Sequence, residues 1–342
     1  MTAAKSLISG FAVLVITLLA PAQADGQDLV SDPRHFIFFD RERQRIAEPD
    51  FLENQNVAGA QLKYSWRELE PERDRYDFRS LLNDLAFLEK HNKRLFVQLQ
   101  DVSFSEAILV PDYLVKDPVF GGGVARQYVV DGDTARFDGW VARRWDPAVR
   151  ARFIKLLEAL GAELDGRIEG LNLAETALVF GGIDKHPAGF TFERYLESVK
   201  EIGNAARKAF ARSSVILYAN FMPGEWLPEN DRGYLRAVYA HADSIGLGVG
   251  GPDLRPYRKG QLKHSYPLIA ARGAKVRAGI AVQDGNLDDE DPATGEPIAV
   301  ADLYRFAKER LRLDYIFWGT QEPYYSKQVL PFIDALAEGA DR

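Results

Sequence analysis

The chain has 342 residues, room for one large core or two small ones, and its 46% hydrophobic and 27% charged residues are ordinary for a globular protein. A mean hydropathy of −0.24 excludes a polytopic membrane protein, and a net charge of −7 with no basic run argues against a nucleic-acid partner. There is no Cys, so disulfides, thiolate metal sites and lipidation are excluded.

Residues 1–24 read as a unit of their own. Lys5 supplies a positive start, Leu7–Leu19 is an apolar run short for a bilayer, and Ala22-Gln23-Ala24 is a small-x-small cleavage pattern. The expectation is a signal peptide, with an uncleaved anchor as the alternative. The mature chain, 25–342, is expected to be a bacterial periplasmic or secreted protein with no membrane span after cleavage.

Strands and helices then alternate. His35–Asp40 is a buried strand ending in an acid, and Val57–Trp66 is a second strand that runs into Arg67-Glu68-Leu69-Glu70-Pro71. Helix Arg79–His91 carries Leu81, Leu82, Leu85 and Leu88 on one face, and strand Arg94–Gln100 ends at Asp101. About 45 residues follow before the next helix, against a usual handful. They contain Gly121-Gly122-Gly123, the hairpin signal Tyr128–Asp133 and the aromatics Phe137, Trp140 and Trp145, so an ordered insertion walling the C-terminal face is expected. Helix Asp146–Leu164 leads into a turn with Gly166 and an apolar strand that reaches Asn172 and Glu175, the arrangement by which α/β barrels present catalytic acids. Asn172 and Glu175 have opposite strand parity, so both can face a pocket only if the chain bends or bulges at Leu173-Ala174.

Four more helix–strand pairs are expected: Phe192–Phe210 with Val215–Asn220, Tyr234–His241 with Ser244–Val249, Lys259–Arg272 with Lys275–Val282, and Val300–Leu311 with Tyr315–Trp318. Helix Gln328–Ala337 closes the chain. Eight parallel βα units predict a single-domain (β/α)8 TIM barrel over 25–342, with the long loop insertion after strand 3. A doubly wound open sheet is the alternative, and no Gly-x-Gly-x-x-Gly follows the first strand to support its dinucleotide form.

Trp66-Arg67-Glu68-Leu69-Glu70-Pro71, followed by Tyr76-Asp77-Phe78, resembles the signature after the second barrel strand of clan A glycoside hydrolases. The retaining xylanases and barrel β-galactosidases are the most similar, and Phe317-Trp318-Gly319 is similar to their eighth strand, whose Trp floors a sugar subsite. The resemblance implies an acid/base Glu after the fourth strand, which falls on Glu175, although Ala174 stands where those families carry Asn. It also implies a nucleophilic Glu ending the seventh strand, where this chain has Gln283-Asp284.

Glycoside cleavage needs two carboxyl groups flanking the sugar. Glu175 is the expected acid. Glu322 is the favoured partner: it follows the strand opposite the fourth, beside Trp318, and Pro323 stiffens its loop. Asp284 is the other candidate, on the strand the resemblance implies. Substrate contacts are expected from Asn172, Trp318, Tyr324, Asp101, Trp66 and Asp40, with Trp226 and Tyr325 as further aromatics. Asp40, Asp101, Glu225 and Asp253 end strands or begin loops on one face, some to bind hydroxyls and others to cap helices. Asp284–Asp291 imitates the start of a calcium loop but has Asp289 at the sixth position and no closing Glu, so a solvated acidic loop is expected. The five His show no ligand spacing, so neither metal nor cofactor is expected. The resulting expectation is an exported glycoside hydrolase acting on a poly- or oligosaccharide. The rival is a barrel that binds polysaccharide without cutting it, within an export or secretion apparatus, supported by the missing seventh-strand Glu.

Overall fold

The computed structural model describes residues 32–131, 134–182 and 185–340, and the expected signal peptide lies outside them. Eleven strands are numbered in chain order. The first three are β1 (Arg34–Phe38), β2 (Val57–Ser65) and β3 (Arg94–Gln100). The insertion carries β4 (Val102–Ser103), β5 (Val124–Asp131) and β6 (Thr134–Ala142), and the last five are β7 (Gly170–Leu173), β8 (Ser214–Tyr218), β9 (Gly248–Gly251), β10 (Ala278–Val282) and β11 (Tyr315–Gly319). The eight strands outside the insertion close into a parallel barrel in the order β1-β11-β10-β9-β8-β7-β3-β2.

Strand alternation divides each strand between two cores. Outward residues such as Ile37, Val97 and Leu171 join the large core beneath the helices. Inward residues Phe36, Phe96, Ile216, Tyr315 and Phe317 fill the lower barrel. Phe96 meets Phe36 at 5.5 Å and 87°, and Phe317 at 4.8 Å and 78°, edge-to-face contacts that favour aromatic pairs. Two residues further along the strands the interior turns polar, with Gln61, Gln98, Asn172 and Tyr218 all buried. Apolar packing therefore closes the bottom of the barrel, and its polar interior lies toward the C-terminal mouth.

The insertion leaves the C-terminal end of β3 as an antiparallel sheet in the order β4-β6-β5. Asp131 pairs with Thr134, and residues 132 and 133, on which the expected Asp-Gly turn partly falls, lie outside the described residues. Tyr128 N–H donates to Val179 O at 2.9 Å, tying this sheet to the loop after β7.

Three elements depart from the expected boundaries. Helix Tyr234–Ile245 runs on to Gly246, whose φ of +66° ends it, so β9 is Gly248–Gly251 rather than a strand from Ser244. Helix Lys259–Arg272 divides at His264, and the final helix is Leu330–Ala340. β9 was hard to read because it is glycine-rich, and the crowding explains why: a Cβ on Gly250 would run into the carbonyl of Gly279 on β10. Gly250→Ala is expected to cost roughly 1–3 kcal/mol of stability by overpacking. Urea unfolding with an unchanged midpoint would show that β9 and β10 do not approach this closely.

Candidate active site

Glu175 stands at the end of β7. Continuing the β7–β8 ladder would bring its N–H to Tyr218 O, but Thr176 N–H takes that place at 3.0 Å. One extra residue is thus accommodated at Ala174-Glu175, which resolves the parity conflict with Asn172. From the end of β8, Asn220 Nδ2 donates to Glu175 Oε2 at 2.6 Å. Arg144 Nη1 donates to the Glu175 main-chain carbonyl at 2.8 Å, and its guanidinium is paired with Asp101 at 2.6 and 2.7 Å. Burial drives the Glu175 pKa up to about 7; the Asn220 bond and the Arg144 and Lys63 charges oppose the rise, and the Asp253 charge adds to it.

Asp253 follows β9, and its Oδ1 accepts from Asn286 Nδ2 at 3.0 Å. Asn286 Oδ1 in turn accepts from Leu254 and Gln283 N–H at 3.1 and 3.2 Å, so one buried amide joins the loops after β9 and β10. Gln283 continues the alternation of Gly279 and Ala281 along β10, and its Nε2 donates to Pro252 O at 2.9 Å. Asp284 is exposed and borders a polar cavity of about 420 Å3 with Asp40, Arg41, Glu42, Gln283 and Thr320. Asp40, in the left-handed region at φ +55°, pairs with Lys63 Nζ at 3.2 Å. The acidic segment is tied down rather than freely solvated: Arg255 Nε donates to Asp289 at 2.6 Å, and Gln321 Nε2 to Asp288 at 3.0 Å. Among the described residues no group of three His, Cys, Asp or Glu is arranged to hold a metal.

The other expected site residues take different places. Glu322 is exposed and accepts from Ser326 N–H at 3.3 Å and Oγ at 2.6 Å, one turn along its own segment. Tyr324 is half-buried beside Asp288. Trp66 and Trp318 are fully buried, which corrects the expectation that they are sugar platforms. Trp318 Nε1 donates to His35 Nδ1 at 3.0 Å, a bond that needs neutral His35, and burial lowers that residue's pKa to about 4. Trp66 Nε1 donates to Glu70 Oε2 at 2.8 Å. The Glu70 Oε1 atom accepts from Asp74 N–H and Tyr113 Oη, both at 3.1 Å, and from Arg152. Trp66 and Glu70 of the signature therefore form a buried joint with helix Pro147–Leu164, while residues 71–75 are exposed. Asp101 spends both carboxylate oxygens on Arg144, leaving it no room to act as a hydroxyl ligand. Asn172 is buried below Glu175, and its Oδ1 accepts from Gln61 Nε2 at 2.8 Å. Glu225 caps helix Tyr234–Ile245 by accepting from the N–H groups of Arg232, Tyr234 and Leu235 at 2.8–3.0 Å.

A second cavity, of about 490 Å3, opens between the loops after β7 and β8 and is mostly apolar. Trp226, which sequence reasoning left among several aromatics, lines it and is 51% exposed. Its ring stacks on Phe221 at 5.7 Å and 3°, with the His264 ring 4.5 Å away.

By architecture this is a closed parallel (β/α)8 barrel with acids gathered at the C-terminal ends of its strands. The catalytic domain of β-amylase from Paenibacillus polymyxa has a similar fold: TM-score 0.54 and 7% identity, over 84% of this chain and 93% of that one. Endoglycoceramidase II from Rhodococcus sp., in complex with a cellobiose-like imidazole, overlays 86% of this chain and 74% of its own at TM-score 0.48 and 11% identity. At these identities the likeness is one of fold. No protein-family description and no curated protein matches the chain.

Proposed function

We propose that the chain is a glycoside hydrolase in which Glu175 is the general acid and Asp253 the opposing base. The observation that carries this reading is a carboxyl group at the end of β7, held by Asn220, whose pKa burial raises to about 7, with the Asp253 charge adding to the rise. A buried carboxyl group whose pKa is raised beside a second carboxylate marks a candidate general acid. Glu175 gives its proton to the glycosidic oxygen as the C1–O bond breaks; a water adds to C1 and passes its proton to Asp253, giving a free sugar and an alcohol. Asp40 and Asp284, bordering the polar cavity, bind sugar hydroxyls. Glu322, engaged with Ser326, stays outside the chemistry.

The leader features of residues 1–24 support action after export, as a periplasmic or secreted bacterial protein, and no helix among the described residues is long and apolar enough to cross a membrane. Reducing-sugar release from a panel of bacterial and plant poly- and oligosaccharides tests the activity. Asp253→Asn should lose most turnover, Asp284→Asn less, and Glu322→Gln almost none. A dead Glu322→Gln beside an active Asp253→Asn would reverse the assignment. The binding-only reading draws on Gln283, an amide where the resemblance implies a nucleophilic Glu. Calorimetric binding of a glycan that is never cleaved would favour it.

A further inference from the structure

We infer that the apolar groove beside Glu175 receives the leaving group, and that this group is an aryl or alkyl alcohol rather than a further sugar. The inference rests on the hydrolase reading of Glu175. An acid that protonates the glycosidic oxygen lies next to the departing alcohol, so whatever surface adjoins Glu175 on that side selects the leaving group.

The groove's lining starts one residue beyond Asn220 and two beyond Glu175, although neither of those two side chains lines it. Asn220 bonds the carboxyl, and the next residues, Phe221, Met222 and Pro223, line the groove. On the other side Thr176 Oγ1 donates to Phe221 O at 2.7 Å, and Ala177, Leu178 and Val179 continue the wall. The polar cavity lies across the barrel mouth, at the ends of β1, β10 and β11. Glu175 is thus flanked by an apolar surface at its own loop and faces a polar one across the mouth.

The chemistry of the lining argues against a sugar ring in the groove. A sugar subsite needs polar groups converging on hydroxyls. The Glu225 carboxylate is already committed to three backbone N–H groups. The His186 ring packs edge-on against Phe180, Phe190 and Phe192 at 5.0–5.8 Å. Among the described lining residues what remains is aromatic and aliphatic surface, with Val179 at 45% and Trp226 at 51% exposure. That surface is held in place. Trp226 and Asn230 exchange backbone hydrogen bonds at 3.1 and 2.7 Å, and Leu227 N–H donates to His264 Nε2 at 2.7 Å. A braced, half-exposed indole over an apolar trough suits a flat or chain-like hydrophobic group, whose burial drives binding in proportion to the area removed from water.

Trp226 is the one Trp of the five more than half exposed, so its fluorescence reports on the groove. The full chain is titrated separately with benzyl alcohol, 1-hexanol and glucose, in wild type, Val179→Asp and Trp226→Phe. Val179 is exposed enough for the Asp to leave the fold intact, which circular dichroism verifies. The expected result is a saturable emission change with both alcohols, weakened at least tenfold by Val179→Asp and absent in Trp226→Phe, with no response to glucose. A saturable response to glucose, or none to either alcohol, overturns the inference. Alcohol binding without cleavage of any glycoside upholds the groove as an apolar binding site but sinks the hydrolase reading and, with it, the leaving-group role. Glu175-dependent cleavage of oligosaccharides without alcohol binding leaves the hydrolase standing and removes the apolar leaving group.

Discussion

Glu175→Gln should lower kcat by roughly 10²–10⁴-fold with little change in KM, the loss expected when a general acid is replaced by a group of the same shape that cannot give its proton. The circular dichroism spectrum should be unchanged, because the amide can still accept from Asn220 Nδ2. On the proposed mechanism protonated Glu175 is the working form, and burial raises its pKa to about 7, so kcat/KM should fall as pH rises through that region. Two variants should move this alkaline limb in opposite directions. Asp253→Asn removes a negative charge that hinders ionisation of Glu175, so the residual activity should lose its limb at lower pH. Asn220→Ala removes a hydrogen bond that favours the ionised form, so its limb should appear at higher pH. A limb that stays put in both would show that Glu175 is not the titrating group.

Arg144→Ala should give the largest loss of stability, about 3–5 kcal/mol, because it strands a carboxylate in the core. Asp101 is 3% exposed and both its oxygens face Arg144. Removing the guanidinium also frees the Tyr195 hydroxyl, 3.2 Å away, and the Glu175 carbonyl that Arg144 holds. Turnover should therefore fall together with the denaturation midpoint, although Arg144 lies outside the proposed chemistry. Pairing the change as Asp101→Leu/Arg144→Met should recover much of the stability, because the buried charge goes with its partner. A single Arg144→Ala variant as stable as wild type in urea would show that Asp101 reaches solvent.

The barrel was legible because its signals are numerous and local: apolar strands alternating with amphipathic helices, each needing only a window of residues. Glu175 was legible for the same reason, as an acid directly after an apolar strand. Its proposed partner was not, since Asp253 acts on it from the loop after β9, with β8 between their strands, a placement set by how the strands pair rather than by any local pattern. Asp253 and Glu225 looked alike in sequence, yet one acts on Glu175 and the other caps a helix. What separates them is where the chain turns after each strand, which composition does not encode. The expectation for Trp66 and Trp318 failed because an indole suits a sugar face and a core equally well, and both found buried hydrogen-bond acceptors. Trp226 was the informative aromatic, but its exposure depends on the bracing by Asn230 and His264.

The buried joint formed by Trp66, Glu70, Tyr113 and Arg152 has a bearing on kinship. Each member would destabilise the chain if lost, whether or not a sugar is ever cleaved. A lineage that abandoned catalysis and kept the barrel for another purpose would thus retain Trp-x-x-Leu-Glu-Pro unaltered, while Glu175, Asn220 and Asp253 were free to drift. The motif most visible in the sequence thus speaks for the architecture, whereas the proposed chemistry rests on three inconspicuous positions at the barrel mouth.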